Sequence, residues 1–252
     1  MQFTILVRGF WHCVFKNDFD HKIEISIESL VQGNFGAAAV LISLGGYMGT
    51  VNASQLVIMA ILEVIFYCLN VAVAEEKFHA MDIGGSMIIH SFGAYFGLAA
   101  CKMRALKKPT SPNKSASYNS NIFAIIGTIF LWMYWPSFNS VLAPTSNIGV
   151  RVIVNTVLAI ASSCLVTFSL SYRIHHGRFE MEEILNASLA GAVAVGTCAD
   201  MTEHFGFAIL IGILGGAVST LGFAYLSACL ERVLGLYDTA GINNLHGLPV
   251  QL

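Results

Sequence analysis

DIGGSMIIH (residues 82–90) and DTAGINNLH (residues 238–246) decide how this chain reads. Both fit D-x-x-G-x-x-x-x-H, with Asp82, Gly85 and His90 in the first copy and Asp238, Gly241 and His246 in the second. On an α-helix, Asp and His eight residues apart lie about 12 Å apart along the axis and about 80° apart in azimuth. The Asp is therefore expected to start the helix, where its carboxylate caps free backbone N–H groups and suits the dipole. The His then reaches toward the middle of whatever layer the helix crosses.

That layer is a bilayer. Hydrophobic residues make up 56% of the 252 and charged residues 11%, against about 25% charged in ordinary soluble domains. The mean hydropathy is +0.69. Such figures exclude a disordered chain, a coiled coil and a nucleic-acid-binding domain. Seven apolar stretches are read as full spans: 34–51, 55–74, 84–105, 122–142, 152–172, 184–199 and 205–230. The sixth is short for a span, and the seventh is long enough to tilt. Two partial helices flank them, at 3–15 and 238–252. The first is no signal peptide, since Arg8 interrupts it and no basic leader or small-residue cleavage site accompanies it. The expected fold is an all-α, polytopic helix bundle forming one membrane domain. Gly is frequent, at 23 residues, which suits close approach of packed membrane helices. The six cysteines stand apart without a CxxC or zinc spacing, so no disulfide framework and no cofactor or metal is expected.

Loop charge gives orientation. Lys102, Arg104, Lys107, Lys108 and Lys114 form one basic cluster, and Arg173, His175, His176 and Arg178 another. The positive-inside rule puts both on the cytoplasmic side. Residues 106–119, which include Pro109 and Pro112, read as a cytoplasmic linker between two membrane halves. Five helix-to-helix steps separate the two D-x-x-G-x-x-x-x-H copies. An odd number reverses direction, so the second copy runs upside down relative to the first. Inverted repeats of this kind place a site near the midplane at their interface.

A single His in an apolar helix is as readily a packing residue as a ligand. Two in matching, inverted frames favour a site. For Asp82 and Asp238 the capping role is favoured over substrate contact. Glu63, a third ionisable group in mid-span, reads as a packing or interface residue.

GGSMIIHSFGAYFGL (84–98), FLWMYWPSFNS (130–140), NASLAGAVAVGT (186–197), GAVSTLGF (216–223) and DTAGINNLHGLP (238–249) closely resemble the Rh (Rhesus glycoprotein-like) branch of the ammonium transporter superfamily. The resemblance covers nearly the whole chain in the family's order. It implies eleven- or twelve-helix channels assembled as trimers, each subunit with its own narrow apolar pore for ammonia, with carbon dioxide as a second candidate gas. It implies that His90 and His246 are the facing pore histidines. Phe35 and Phe138 become the outer gate, Asp82 and Asp238 the paired acids at cap or vestibule, and Asn139, Asn243 and Asn244 vestibule or pore positions. It also implies that this chain is truncated at both ends, since family members have helices before its first residue and after its last. The expected setting is the plasma membrane, the expected partners ammonium or ammonia, the lipid bilayer, and further copies or Rh relatives in a homotrimer or heterotrimer, with no nucleic acid.

The physics agrees. An ammonium ion loses much solvation in an apolar channel and neutral ammonia does not. An acidic, aromatic vestibule attracts the cation, and neutral imidazoles both donate and accept hydrogen bonds along the path. The competing reading is a truncated, non-conducting subunit that associates with or modulates full-length Rh proteins. An intramembrane enzyme has little support, because no H-E-x-x-H, G-x-S-x-G or P-loop pattern occurs.

Overall fold

The computed structural model describes residues 1–20, 22–104 and 116–252. Among the described residues every regular element is a helix. In chain order these are α1 (Gln2–Lys16), α2 (Ile27–Tyr47), α3 (Ala53–Glu76) and α4 (Phe92–Arg104), then α5 (Tyr118–Ser140), α6 (Ser146–Ile174), α7 (Met181–Ala187), α8 (Ala190–Val195), α9 (Phe205–Leu221) and α10 (Ser227–Leu234). Short π-wound segments at Ser86–Ser91, Gly222–Leu226 and Asn243–Gly247 join or precede some of them. Of the expected 106–119 linker, residues 106–115 lie outside the described residues, and α5 begins at Tyr118.

Five helices are long and apolar enough to cross a membrane: Ile27–Tyr47, Ala53–Glu76, Tyr118–Ser140, Ser146–Ile174 and the continuous Phe205–Leu234. Reciprocal capping boxes start three of them, Ser26 with Ser29, Asn52 with Gln55 and Ser117 with Ser120. The other two expected spans are helical but interrupted. Stretch 84–105 is a π-wound Ser86–Ser91 running into α4. Stretch 184–199 is α7, a turn at Ser188 and Leu189, α8, and a 3-10 turn at Gly196–Cys198. Every residue of α8 is buried. Irregular backbone is tolerated at membrane depth only when protein surrounds it, so this apolar stretch serves as core and not as a lipid-facing span.

Two glycine pairs set the packing. On α4, a Cβ at Gly93 would lie 2.7 Å from Ala39 O, and one at Gly97 2.7 Å from Ser43 Cα, so α4 rides directly on α2. On α9, a Cβ at Gly212 would lie 2.2 Å from Ser162 Oγ, and one at Gly216 2.7 Å from Ser163 O, so α9 rides on α6 in the same manner. Such small-residue contacts, closed by van der Waals packing, are how helices associate where lipid removes the hydrophobic driving force. Ser163 adds hydrogen bonds on the α6 side, donating to Ala187 O and accepting from Gly191 N. Glu63 is fully buried within the chain, with one carboxylate oxygen on the Ser43 hydroxyl. It therefore packs inside the bundle and is not an outward interface residue. All six cysteines are free thiols.

Candidate functional site

The D-x-x-G motif is a capped break. Asp82 Oδ2 accepts from Ile88 N at 2.7 Å and Oδ1 from the Thr197 hydroxyl at 2.7 Å. Asp238 accepts from Ile242 N at 3.0 Å and Asn243 N at 2.9 Å. The glycine three residues on takes a left-handed conformation in each copy, φ 72° at Gly85 and 69° at Gly241, which glycine adopts without steric cost. The helix proper begins only after that glycine. The expectation that each Asp opens an α-helix reaching its His is thus corrected: both histidines lie in π-wound segments, Ser86–Ser91 and Asn243–Gly247. His90 N donates back five residues to Gly85 O, and Leu248 N back five to Asn243 O. The wider π turn re-aims side chains and recurs at functional sites. Burial pushes the Asp82 carboxyl above the usual carboxylate range, against the pull of its Ile88 and Thr197 donors.

The two breaks deliver their histidines to one place. His90 Nδ1 and His246 Nδ1 are 3.1 Å apart, and the rings are parallel within 2° with centroids 5.1 Å apart. A contact between two Nδ1 atoms needs one donor and one acceptor, so the neutral rings hold opposite tautomers. The Nδ1–H ring has a bare Nε2, while the other carries its proton on Nε2. His90 Nε2 is buried with no partner among the described residues. Trp135 stacks on His90 at 5.4 Å and 20°. Its indole N–H is also buried without a protein acceptor among the described residues.

A cavity of about 450 Å³ opens onto both rings, walled by Ile42, Trp135, Phe138 and Leu245 and rimmed by side chains that face the exterior, Leu41 and Tyr134. Phe138 stands 6.0 Å from His90, and Phe35 packs on Phe138 at 5.0 Å and 55°. The two phenylalanines thus form a contiguous pair beside the histidines.

The asparagines are placed differently. Asn139 is fully buried and donates to Thr156 Oγ1 and Ala192 O, tying α5 to α6 and α8. Asn243 donates to Asn244 Oδ1, and Asn244 donates to Ser227 Oγ. None of the three lines the histidine cavity. Trp135 was not singled out from sequence, although it sits in the quoted 130–140 motif. The signal available was its spacing, three residues before Phe138 and so on the same helical face. Thr197, which holds Asp82, carried no signal beyond its motif.

The arrangement is therefore a largely apolar, aromatic cavity with paired imidazoles at its base. Among the described residues no group of His, Cys, Asp and Glu is placed to hold a metal ion.

Comparison with known proteins gives the family. The model of the Ammonium Transporter Family covers residues 2–251. Ammonium transporter Rh type A of Canis lupus familiaris is 44% identical over 252 residues, 99% of this chain and 60% of that protein. Ammonium transporter Rh type C of Xenopus laevis is 41% identical over 99% of this chain and 52% of its own length. This chain thus spans between half and three fifths of the length of these relatives. Among solved structures, Nitrosomonas europaea Rh50, described as bearing on conduction by the Rhesus protein family of channels, superposes with a TM-score of 0.86 at 31% identity. That match covers all of this chain and 68% of Rh50. Saccharomyces cerevisiae Mep2, at 22% identity and TM-score 0.74, shares the fold. The chain is a multi-pass membrane protein, and it belongs to the ammonium transporter family.

Proposed function

We propose that this chain carries the conduction path of an ammonium channel, passing neutral ammonia between the phenylalanine pair and the twin histidines. The observation that carries the reading is the parallel His90–His246 pair, Nδ1 to Nδ1 at 3.1 Å, at the base of an apolar cavity. An ammonium ion meets the aromatic faces of Phe35 and Phe138, where cation–π attraction favours it. Further in, no carboxylate among the described residues lines the cavity. Desolvation there opposes the charged ion and spares the neutral gas. Ammonia has one lone pair and three N–H groups. The imidazole pair offers one donor and one acceptor Nε2, which match both kinds of group. Asp82 and Asp238 act as caps that hold the two π turns in register, and Asn139, Asn243 and Asn244 act as struts behind them.

Phe35 and Phe138 form the outer gate in this reading, with the C-terminal end of α4, which carries Lys102 and Arg104, on the cytoplasmic side. The single membrane domain assembles as a trimer, with copies of itself or with Rh relatives, in the plasma membrane. Carbon dioxide, also small and uncharged, is the second cargo to test.

The test is growth of yeast lacking its own ammonium transporters, on low ammonium at raised pH. Rescue that disappears in both His90→Ala and His246→Ala supports conduction. Rescue indifferent to both substitutions refutes the path. No rescue, with co-purification of a full-length relative, identifies the chain as a non-conducting subunit instead.

A further inference from the structure

Arg8 on α1 reaches across to Glu75 at the end of α3. Its Nη2 donates to both carboxylate oxygens, at 3.1 and 3.0 Å. The two side chains remain 28% and 40% exposed, so the pair is in contact with water. On one side of it lies an open basin of about 240 Å³, where His12, Glu24 and Glu28 stand. On the other lies a small chamber of about 60 Å³, walled by Phe35, Tyr67, Asp82 and Glu75. Arg8 and Gln32 line both. Arg8 thus stands at the junction between a solvent-facing basin and a chamber built against Phe35, the first ring of the phenylalanine pair.

The chamber has room for a water-sized or ammonium-sized guest. Two carboxylates and two aromatic rings are walls that attract a small cation. A cation is already there. The guanidinium covers both oxygens of Glu75, and Asp82 is taken up by its own backbone and Thr197 donors. A tethered guanidinium competes with a diffusing ammonium ion for the same carboxylate at a high effective concentration. It offers nothing against a neutral guest.

We propose that Arg8 is a resident cation of this chamber, a specificity-determining residue that masks Glu75 and disfavours charged ammonium relative to neutral ammonia on the approach to Phe35. The specificity part rests on the conduction reading above; the electrostatic part does not.

The test separates the two. Gln32→Cys puts a thiol on the wall shared by basin and chamber. None of the six native cysteines lines either one. The ratio of its modification rates by a cationic and an anionic methanethiosulfonate reports local potential without transport. The rates are measured on the full chain at low ionic strength, with the parent's background subtracted. Replacing Arg8 with Gln uncovers Glu75 and raises the cationic-to-anionic ratio about five- to tenfold. Arg8→Lys keeps the charge and leaves the ratio within about twofold of the parent. Glu75→Gln leaves the guanidinium uncompensated and lowers the ratio. Should Arg8→Gln fail to reach the membrane, Glu75→Gln carries the test alone with its opposite sign.

A ratio unmoved by removing either charge overturns the assignment. In parallel, methylammonium uptake by Arg8→Gln saturates at a lower concentration than in the parent. A shifted ratio with unchanged half-saturation overturns the specificity role. A shifted ratio with no uptake in any variant, the parent included, refutes the conduction reading and leaves Arg8 as the chamber's resident cation.

Discussion

Gly241 is the position where the second repeat is least tolerant of a side chain, and three glycines allow the reason to be dissected. Gly241 has φ 69°, and a Cβ there would lie 2.1 Å from Phe223 Cε1. Gly235 has φ 59° with nothing within 4 Å of its notional Cβ. Gly127, inside α5, also has open space and no positive φ. Alanine in the left-handed region costs about 1–2 kcal/mol. At Gly235 that is the whole effect. At Gly241 the half-buried Phe223 ring must also move, adding about 1–3 kcal/mol. At Gly127 alanine gains about 0.5–1 kcal/mol of helix propensity. A chain of this size loses about 2–4 °C in melting temperature per kcal/mol. Thermal unfolding in mild detergent, followed by tryptophan fluorescence, is expected to rank Gly127→Ala at or above the parent, Gly235→Ala below it, and Gly241→Ala lowest. A Gly241→Ala protein no less stable than Gly235→Ala would show that the ring contact is not what the turn requires. The left-handed backbone would then be the only reason for glycine in D-x-x-G.

Asp238→Ala removes the acceptor for two backbone N–H groups and should destabilise by about 1–2 kcal/mol, read by the same melt, while Asp238→Asn, which keeps one acceptor oxygen, should lose less. Glu63→Gln preserves shape and an oxygen for Ser43 and should stay within about 1 kcal/mol of the parent, whereas Glu63→Ala leaves a buried cavity beside a hydroxyl that keeps Val40 O and Tyr47 as partners and should cost about 2–5 kcal/mol. Gly97→Leu, whose side chain would enter the Ser43 backbone of α2, should prevent recovery of monodisperse protein on size-exclusion chromatography. Trp135→Leu removes the ring stacked on His90 and should slow methylammonium uptake severalfold; uptake equal to the parent would remove Trp135 from the path.

Hydropathy made the bundle legible because it measures what lipid demands. It marked the apolar middle of each span and missed the polar first turns. α2 begins at Ile27, α5 at Tyr118 and α6 at Ser146, each at least one turn before the apolar run, because Ser26, Ser117 and Thr145 cap helices whose ends lie beyond the apolar band. Hydropathy could not tell that 184–199 is buried by protein, since a helix buried in protein and one facing lipid are equally apolar. The pairing of His90 with His246 was legible from the inverted motif. The π winding beneath it was not, because a hydrogen bond to the fifth residue back leaves no trace in residue type. Resemblance supplied Phe35 and Phe138, which composition alone could not distinguish from packing aromatics. The pairing of Arg8 with Glu75 was not legible, because 67 residues separate them and Arg8 read only as an interruption of the 3–15 helix.

The symmetry of the repeats does not extend to their protons. The two imidazoles come from matching π turns after matching Asp caps and left-handed glycines, and their planes agree within 2°. Yet the Nδ1–Nδ1 contact of 3.1 Å holds one proton, and one ring alone donates it. At any instant the pair therefore has a direction, with an accepting Nε2 at one end and a donating Nε2 at the other. Reversing that direction moves the shared proton across the contact and exchanges a proton at both outer nitrogens. A guest that both donates and accepts allows that exchange, and an apolar gas does not. The demand falls on the outer nitrogens, of which His90 Nε2 is buried without a partner among the described residues. Replacing His246 by Gln, which keeps a donor and an acceptor but cannot relay a proton from one to the other, separates the two possibilities. Uptake that survives His246→Gln would show that hydrogen bonding alone suffices. Uptake lost in His246→Gln, in a protein that still melts like the parent, would show that the exchange is required.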